Sequence, residues 1–124
     1  MCRALIVEEN LIFREAFRSE LLHHLPFILI QEAKDGREAM EKIRLKPPSL
    51  IFMDICLPGL NGLELVQKIK KDFPRIRIAM LTGYDFPEYR RTASQYGADR
   101  YFVKDSLNWK DVEDFVQYIW KENR

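Results

Sequence analysis

The chain alternates between short apolar runs and longer segments in which apolar residues recur at helical spacing. Five short runs rich in β-branched and aromatic residues predict strands at residues 4–7, 27–31, 50–53, 76–81 and 100–103. Between and after them, apolar positions three and four residues apart predict five amphipathic helices. This alternation of strands and helices is typical of an α/β domain with one parallel sheet.

The helical segments carry an inward apolar face and recognisable end signals. The predicted faces are Ile12, Phe13, Ala16, Phe17, Leu21 and Leu25 in the first helix, Ala39, Met40 and Ile43 in the second, Leu63, Val66, Ile69 and Phe73 in the third, and Val112, Phe115, Val116 and Ile119 in the fifth. Asp35 and Asn61 are the predicted N-caps of the second and third helices, and Pro74 is expected to end the third. Pro87 suits the first turn of the fourth helix.

The third predicted strand, at residues 50–53, is apolar at every position rather than alternating. A strand of this kind is typical of the centre of a parallel sheet that is covered on both faces. We therefore expect a doubly wound five-stranded parallel sheet that forms a single domain over residues 1–124.

Composition narrows the class of protein. Twenty basic and nineteen acidic side chains nearly cancel, so the charge excess expected of a nucleic-acid-binding domain is missing. The longest apolar stretches fall far short of the roughly 20 residues that a membrane span needs, and no signal-peptide pattern is present. Cys2 and Cys56 form no CxxC pair and are expected to be free thiols. The expected location is the cytoplasm.

Polar residues follow four of the predicted strands. In an open doubly wound sheet, ligands bind at the carboxyl ends of the strands, where Glu8, Glu9, Asp54, Thr82 and Lys104 would meet. Clustered carboxylates suit Mg²⁺, which takes phosphate oxygens as further ligands. Aspartate is an established phosphoryl acceptor, and a lysine and a hydroxyl can bind the remaining phosphoryl oxygens. The set predicts phosphoryl transfer with Asp54 as the acceptor.

Four segments carry a resemblance to a known family. They are residues 5–10 (LIVEEN), 53–62 (MDICLPGLNG), 81–83 (LTG) and 97–104 (GADRYFVK). In order and spacing they resemble the receiver domain of two-component response regulators, the CheY-like family. Residues 13–15 (FRE), the region 84–88 and the ending 104–106 (KDS) resemble receivers of LuxR/NarL-type regulators. The resemblance implies a flavodoxin-like (βα)5 fold with strand order 2-1-3-4-5.

The resemblance also implies a role for each matched site residue. Asp54 would accept a phosphoryl group from a histidine kinase. The Mg²⁺ ligands would be the carboxylates of Glu8, Glu9 and Asp54 and the backbone carbonyl of Cys56. Pro58 and Gly62 would shape the loop after Asp54, although Gly62 also suits the start of the third helix.

The resemblance further implies a switch and partners. Thr82 and Lys104 would bind the phosphoryl oxygens, and Tyr101 would turn inward as Thr82 moves. Phosphorylation would thereby change the surface of the fourth helix, fifth strand and fifth helix, and control an output domain or effector protein, with transcriptional regulation as the expected output. A homodimer that forms on phosphorylation is an additional expected partner. The chain is either a receiver separated from a longer regulator or a stand-alone one.

Two positions depart from the family pattern. The family usually has Asp at the second acidic position, where Glu9 stands, and the extra methylene displaces the carboxylate by roughly 1.5 Å. Since Mg²⁺ requires near-ideal octahedral geometry, we predict weaker binding than at an all-Asp site. After Lys104 many receivers have Pro, commonly with a cis bond, whereas this chain has Asp105. Both a trans and a cis bond are open here.

Two other functions compete with the signalling receiver. A phosphorylation-independent interaction module with a receiver-like fold is one, motivated by the Glu8-Glu9 pair. An aspartate-dependent phosphohydrolase is the other. Such enzymes often use Asp-x-Asp, but position 56 is Cys, which leaves no second acid in place as general acid. The sequence favours a phosphoacceptor over an enzyme.

Overall fold

The structure is a computed structural model that describes residues 2–123. Its elements alternate as predicted: β1 Arg3–Val7, α1 Leu11–His24, β2 Leu29–Ala33, α2 Gly36–Leu45, β3 Leu50–Met53, α3 Gly62–Asp72, β4 Arg77–Thr82, α4 Pro87–Gln95, β5 Arg100–Val103 and α5 Trp109–Glu122, with a short 3-10 helix at Lys104–Ser106. All four strand pairings are parallel, in the order β2-β1-β3-β4-β5. The predicted fold class and strand order are confirmed.

The sheet separates two apolar cores. In β3, Leu50 and Phe52 face a core that α1 and α5 cover, whereas Ile51 and Met53 face a core that α2, α3 and α4 cover. Because successive side chains of a strand point to opposite faces, only a strand that is apolar at every position can supply both cores. All four residues are completely buried. The prediction that this segment is a central strand is confirmed.

The predicted helix signals are found at the helix ends. The side chains of Asp35 and Asn61 accept hydrogen bonds from the backbone N–H groups of Glu38 and Glu64, which makes them the N-caps of α2 and α3. Pro87 is in the first turn of α4. The predicted inward residues of α2 and α5 are buried.

The second strand begins two residues later than predicted. Residues 27–31 were expected to form it, but β2 spans Leu29–Ala33. Phe27 lies before the strand, and its ring stacks on Trp120 at a centroid distance of 4.4 Å. Only one edge of β2 is paired, with β1. Because an edge strand tolerates polar residues, a search for apolar runs does not find its true ends.

The predicted inward face of α1 is wrong at two positions. Ile12 is 82% exposed and Ala16 is also exposed, whereas Phe17 and Leu21 are buried. The buried stripe follows the four-residue spacing from Phe13 through Phe17 to Leu21, and Leu25 continues it beyond the helix end. Ile12 and Ala16 each precede a stripe residue by one position, which rotates them about 100° away from the sheet.

Two sequence expectations concern thiols and membrane spans. Cys2 is buried, Cys56 is exposed, and both are free thiols. Within residues 2–123, no helix is long and apolar enough to cross a membrane.

Candidate phosphoryl-acceptor site

The strand register brings the predicted polar residues to one edge of the sheet. Val7 is paired with Met53, and Met53 with Met80, so β1, β3 and β4 end close together. Glu8 and Asp54 directly follow β1 and β3, and the backbone N–H of Asp54 donates to the Val7 carbonyl at 3.1 Å. Buried apolar strands thus hold the two carboxylates at adjacent ends.

Lys104 links the two buried carboxylates. Its Nζ lies 2.6 Å from Oε1 of Glu8 and 3.1 Å from Oδ2 of Asp54. Burial by itself lowers the pKa of Lys104. The hydrogen bond to Glu8 and the charges of Asp54 and Glu8 outweigh that effect and raise the pKa above its ordinary value. Lys104 is therefore a cation at neutral pH, held between two acids.

Glu8 is fixed by the start of the first helix. It is 3% exposed, and its Oε2 accepts a hydrogen bond from the backbone N–H of Asn10 at 2.9 Å. Asn10 caps α1 by accepting from the Phe13 N–H at 3.0 Å. The guanidinium of Arg14 donates to the Glu8 carbonyl at 2.6 Å and pairs with Glu32 of β2. The β1–α1 connection is thus tied to both the helix and the sheet edge.

Asp54 is 7% exposed, and Gly62 packs directly against its backbone. Oδ1 of Asp54 accepts from the Ile55 N–H at 2.7 Å, and the Gly62 N–H donates to the Ile55 carbonyl at 2.7 Å. A Cβ at position 62 would lie 2.0 Å from the carbonyl oxygen of Asp54. Only glycine permits this approach, so Gly62 both starts α3 and shapes the loop after Asp54.

The residues predicted to hold Mg²⁺ all line one open cleft. Glu8, Glu9, Asp54 and Cys56 border it together with Lys104, and Glu9 and Cys56 are exposed. Carboxylate and carbonyl oxygens are the ligands that Mg²⁺ prefers, so the donor chemistry fits this ion. Within residues 2–123, however, no three acidic, histidine or cysteine side chains are grouped closely enough to hold a metal. Lys104 places one positive charge between the carboxylates of Glu8 and Asp54 at this cleft.

Thr82 and Tyr101, the two predicted switch residues, are not among the residues that border this cleft. Thr82 is completely buried at the end of β4, and its Oγ1 accepts from the Tyr84 N–H at 3.3 Å. The Tyr101 hydroxyl donates to the Tyr84 carbonyl at 2.6 Å. Burial is the main cause that raises the pKa of Tyr101, so the hydroxyl keeps its proton at neutral pH. The two predicted switch residues are therefore joined through one backbone segment.

Sequence reasoning missed Tyr84 as the link between Thr82 and Tyr101. Its contribution comes from backbone atoms, which any residue type could supply, so no side-chain signal marks it. The bond after Lys104, left open above, is trans, as are all peptide bonds within residues 2–123. Asp105 lies in the short 3-10 helix that leads towards α5.

Proteins of similar sequence align with most of the chain. The response regulator protein VraR of Staphylococcus saprophyticus is 34% identical over 117 residues, which are 93% of this chain and 54% of VraR. The uncharacterized transcriptional regulatory protein YesN of Bacillus subtilis is 38% identical over 91 residues, which are 73% of this chain and 25% of YesN. The chain thus spans about half the length of VraR and a quarter of YesN.

Solved structures agree with these relatives. The response regulator TrrA of Thermotoga maritima, solved in complex with Mg²⁺-BeF, is 33% identical with a TM-score of 0.83 and covers 96% of this chain and 99% of its own. A DNA-binding response regulator of the LuxR family from Staphylococcus aureus is 26% identical with a TM-score of 0.83 and covers both chains fully. The response regulator receiver domain family matches residues 4–116. The chain belongs to this family.

Proposed function

We propose that this receiver domain is a phosphorylation-switched signalling module in which Asp54 accepts a phosphoryl group from a histidine kinase. The attacking Asp54 oxygen forms a P–O bond as the P–N bond of the phosphohistidine breaks, and the electron pair returns to the imidazole. The observation that carries the proposal is the Lys104 ammonium, 3.1 Å from Oδ2 of Asp54 in an open cleft that both residues line. There it can bind a phosphoryl oxygen by a charge-assisted hydrogen bond.

We propose Mg²⁺ as the cofactor, with Glu8, Glu9, Asp54 and the backbone carbonyl of Cys56 as the groups that would hold it. The ion supplies positive charge that offsets the repulsion between a carboxylate and an anionic phosphoryl group. The Mg²⁺-BeF complex of the relative TrrA supports this assignment. If Glu8 held the ion through Oε1, its contact with Lys104 would weaken, and the ammonium would be available to the phosphoryl oxygens.

The switch would begin at Thr82 and Tyr101. If Thr82 turned its hydroxyl towards the phosphoryl group, it would lose its hydrogen bond from the Tyr84 N–H. The Tyr101 hydroxyl donates to the carbonyl of the same residue, so a shift of Tyr84 would also change the contact of Tyr101. A change at Asp54 would then reach α4, β5 and α5 through a shift between two arrangements of this loop. This surface would act on a tethered output domain or an effector protein.

The partners follow from this role. They are a cognate histidine kinase, the output domain or effector, and a second copy of the chain that dimerises after phosphorylation. The transcriptional regulator YesN and the LuxR-family regulator from Staphylococcus aureus support transcriptional output. The near-zero net charge supports indirect control rather than nucleic-acid binding by this domain itself. We propose that the receiver acts in the cytoplasm. We also propose that residues 1–124 form a single receiver domain.

Acetyl phosphate and beryllofluoride, each with Mg²⁺, separate the three candidate functions. A signalling receiver gains about 80 Da, the mass of one phosphoryl group, by mass spectrometry, and Asp54→Asn abolishes the gain. Continuous release of phosphate at many turnovers would indicate a phosphohydrolase. Absence of any adduct with both reagents would leave the phosphorylation-independent module. Size-exclusion chromatography with light scattering, with and without beryllofluoride, tests dimer formation.

A further inference from the structure

Lys104, the side chain proposed to bind the phosphoryl group, belongs to a residue type with a long and intrinsically flexible stem. Lys104 reaches the cleft from the end of β5 on a four-carbon stem, and a lysine ammonium is a point charge without the fixed fork of arginine. Its two anionic partners, Glu8 and Asp54, would both change their contacts on phosphorylation. A third contact that is independent of these acids would keep the ammonium in place.

Phe13 supplies such a contact. Nζ of Lys104 lies 4.2 Å from the centroid of the Phe13 ring, well inside the range of a cation–π interaction. The lysine side chain is 19% exposed, so the interaction is largely shielded from water. Such contacts are stronger when the cation is desolvated.

The Phe13 ring is itself held firmly. It stacks on Phe17 at a centroid distance of 6.0 Å and an interplanar angle of 13°. Phe17 is 3% exposed and also contacts Phe52 of the central strand. The backbone N–H of Phe13 is fixed by its bond to the Asn10 side chain. Ring and backbone are therefore anchored separately, to the core and to the helix cap.

We propose that Phe13 is the positioning residue for Lys104, and that its ring keeps the ammonium directed at Asp54 while the acidic partners exchange. This rests on the proposed role of Asp54 as phosphoacceptor. Phe13 touches no reacting atom and acts only through the lysine. The sequence indicated Phe13 as part of the apolar face of α1 and of the LuxR/NarL-like segment 13–15, and did not indicate a contact with Lys104.

The test compares Phe13→Leu, which keeps an apolar side chain but removes the π face, with Phe13→Tyr and Phe13→Trp, which retain it. Labelling of Asp54 by acetyl phosphate with Mg²⁺ should slow by about three- to thirtyfold in the leucine variant. The aromatic variants should restore the rate. Phe27→Leu removes a stacked ring of the same core far from the cleft and serves as the matched control. Thermal unfolding confirms that each variant is folded.

Two further readouts tie any effect to the lysine. In a Lys104→Met background, Phe13→Leu should change the labelling rate less than about twofold, since the shared partner is gone. By NMR without any phosphoryl donor, the Lys104 Cε protons should show an upfield ring-current shift that Phe13→Leu abolishes and Phe13→Tyr retains. An unchanged shift in Phe13→Leu, or wild-type labelling in that variant, overturns the proposal.

The two proposals fail separately. If the wild-type chain takes up no label from acetyl phosphate and no beryllofluoride, the role of Asp54 as phosphoacceptor fails. The NMR comparison still decides whether Phe13 positions Lys104, because it needs neither reagent.

Discussion

The Lys104 ammonium lies closer to Glu8 than to Asp54, at 2.6 Å against 3.1 Å. The lysine therefore shares its single positive charge between a residue proposed to bind Mg²⁺ and the proposed phosphoacceptor. An internal cation in this position competes with a metal ion for the same oxygens.

Lys104→Met should consequently tighten Mg²⁺ binding. Removing one positive charge near a divalent cation in a solvated cleft should lower the dissociation constant by about tenfold. Titration of Mg²⁺ against tryptophan fluorescence measures it. Lys104→Arg keeps the charge and should bind Mg²⁺ much as the wild type does. Weaker binding by the methionine variant would show that the lysine supports the metal rather than displacing it.

The same ion pair should make stability depend on alkaline pH. The folded chain raises the pKa of Lys104 and so binds this proton more tightly than the unfolded chain does. The stabilisation is complete below the ordinary lysine pKa of about 10.4 and is lost as the pH rises through the higher folded value. The difference in unfolding free energy between wild type and Lys104→Met should be flat from pH 7 to about 9.5 and shrink above that range.

Urea unfolding of both chains at a series of pH values measures this difference. Lys104→Arg is the control, since its side chain does not titrate in the range and should give no such decline relative to Lys104→Met. A difference that grows with pH would contradict the sign of the shift.

Glu9 is one of the residues proposed to hold Mg²⁺. It is exposed at the cleft, and its side chain is one methylene longer than Asp. Glu9→Asp should strengthen Mg²⁺ binding by about threefold or more, because a closer carboxylate suits octahedral coordination at about 2.0–2.1 Å. Glu9→Gln, which keeps the length and removes the charge, should weaken it. Equal Mg²⁺ affinities for the wild type and Glu9→Asp would mean that this position does not contact the metal.

Gly62→Ala should be strongly destabilising. The added Cβ would lie 2.0 Å from a backbone oxygen, which cannot move as a flexible side chain can. We expect a loss of about 3 kcal/mol or more in the free energy of unfolding, above the usual range for overpacking. Gly83→Ala is the matched control, since a Cβ there meets nothing within 4 Å and its backbone needs no positive φ. Similar stabilities for the two variants would contradict the close approach.

The two cysteines should differ sharply in reactivity. Cys2 is completely buried, and burial raises the pKa of its thiol, whereas Cys56 is exposed beside Asp54. Because the thiolate is the reactive form, a disulfide reagent at pH 8 should modify one thiol per native chain quickly and the second only on unfolding. Cys56→Ser should remove the fast phase, and retention of that phase would place the reactive thiol at Cys2.

Much of the fold and of the candidate site could be predicted, because the residues that define them act through their own side chains. The uniformly apolar β3, the caps Asp35 and Asn61, and the acids after β1 and β3 each mark their position chemically. Tyr84 could not be found, because it contributes backbone atoms. The start of β2 was missed because an edge strand needs no apolar pattern, and the Phe13–Lys104 contact joins residues that only the completed sheet brings together.

The two tryptophans of α5 stack on different rings, at the two ends of one helix. Trp109 stacks on Phe17 at 5.4 Å, and Phe17 stacks on the ring that touches Lys104, whereas Trp120 stacks on Phe27 at 4.4 Å. Eleven residues of helix separate them by about 16 Å along the axis. Emission from Trp109 should therefore respond to events at the cleft while emission from Trp120 stays constant. Single Trp→Phe variants would separate the two emissions, and the Trp109 signal would then give a label-free measure of occupancy at Asp54.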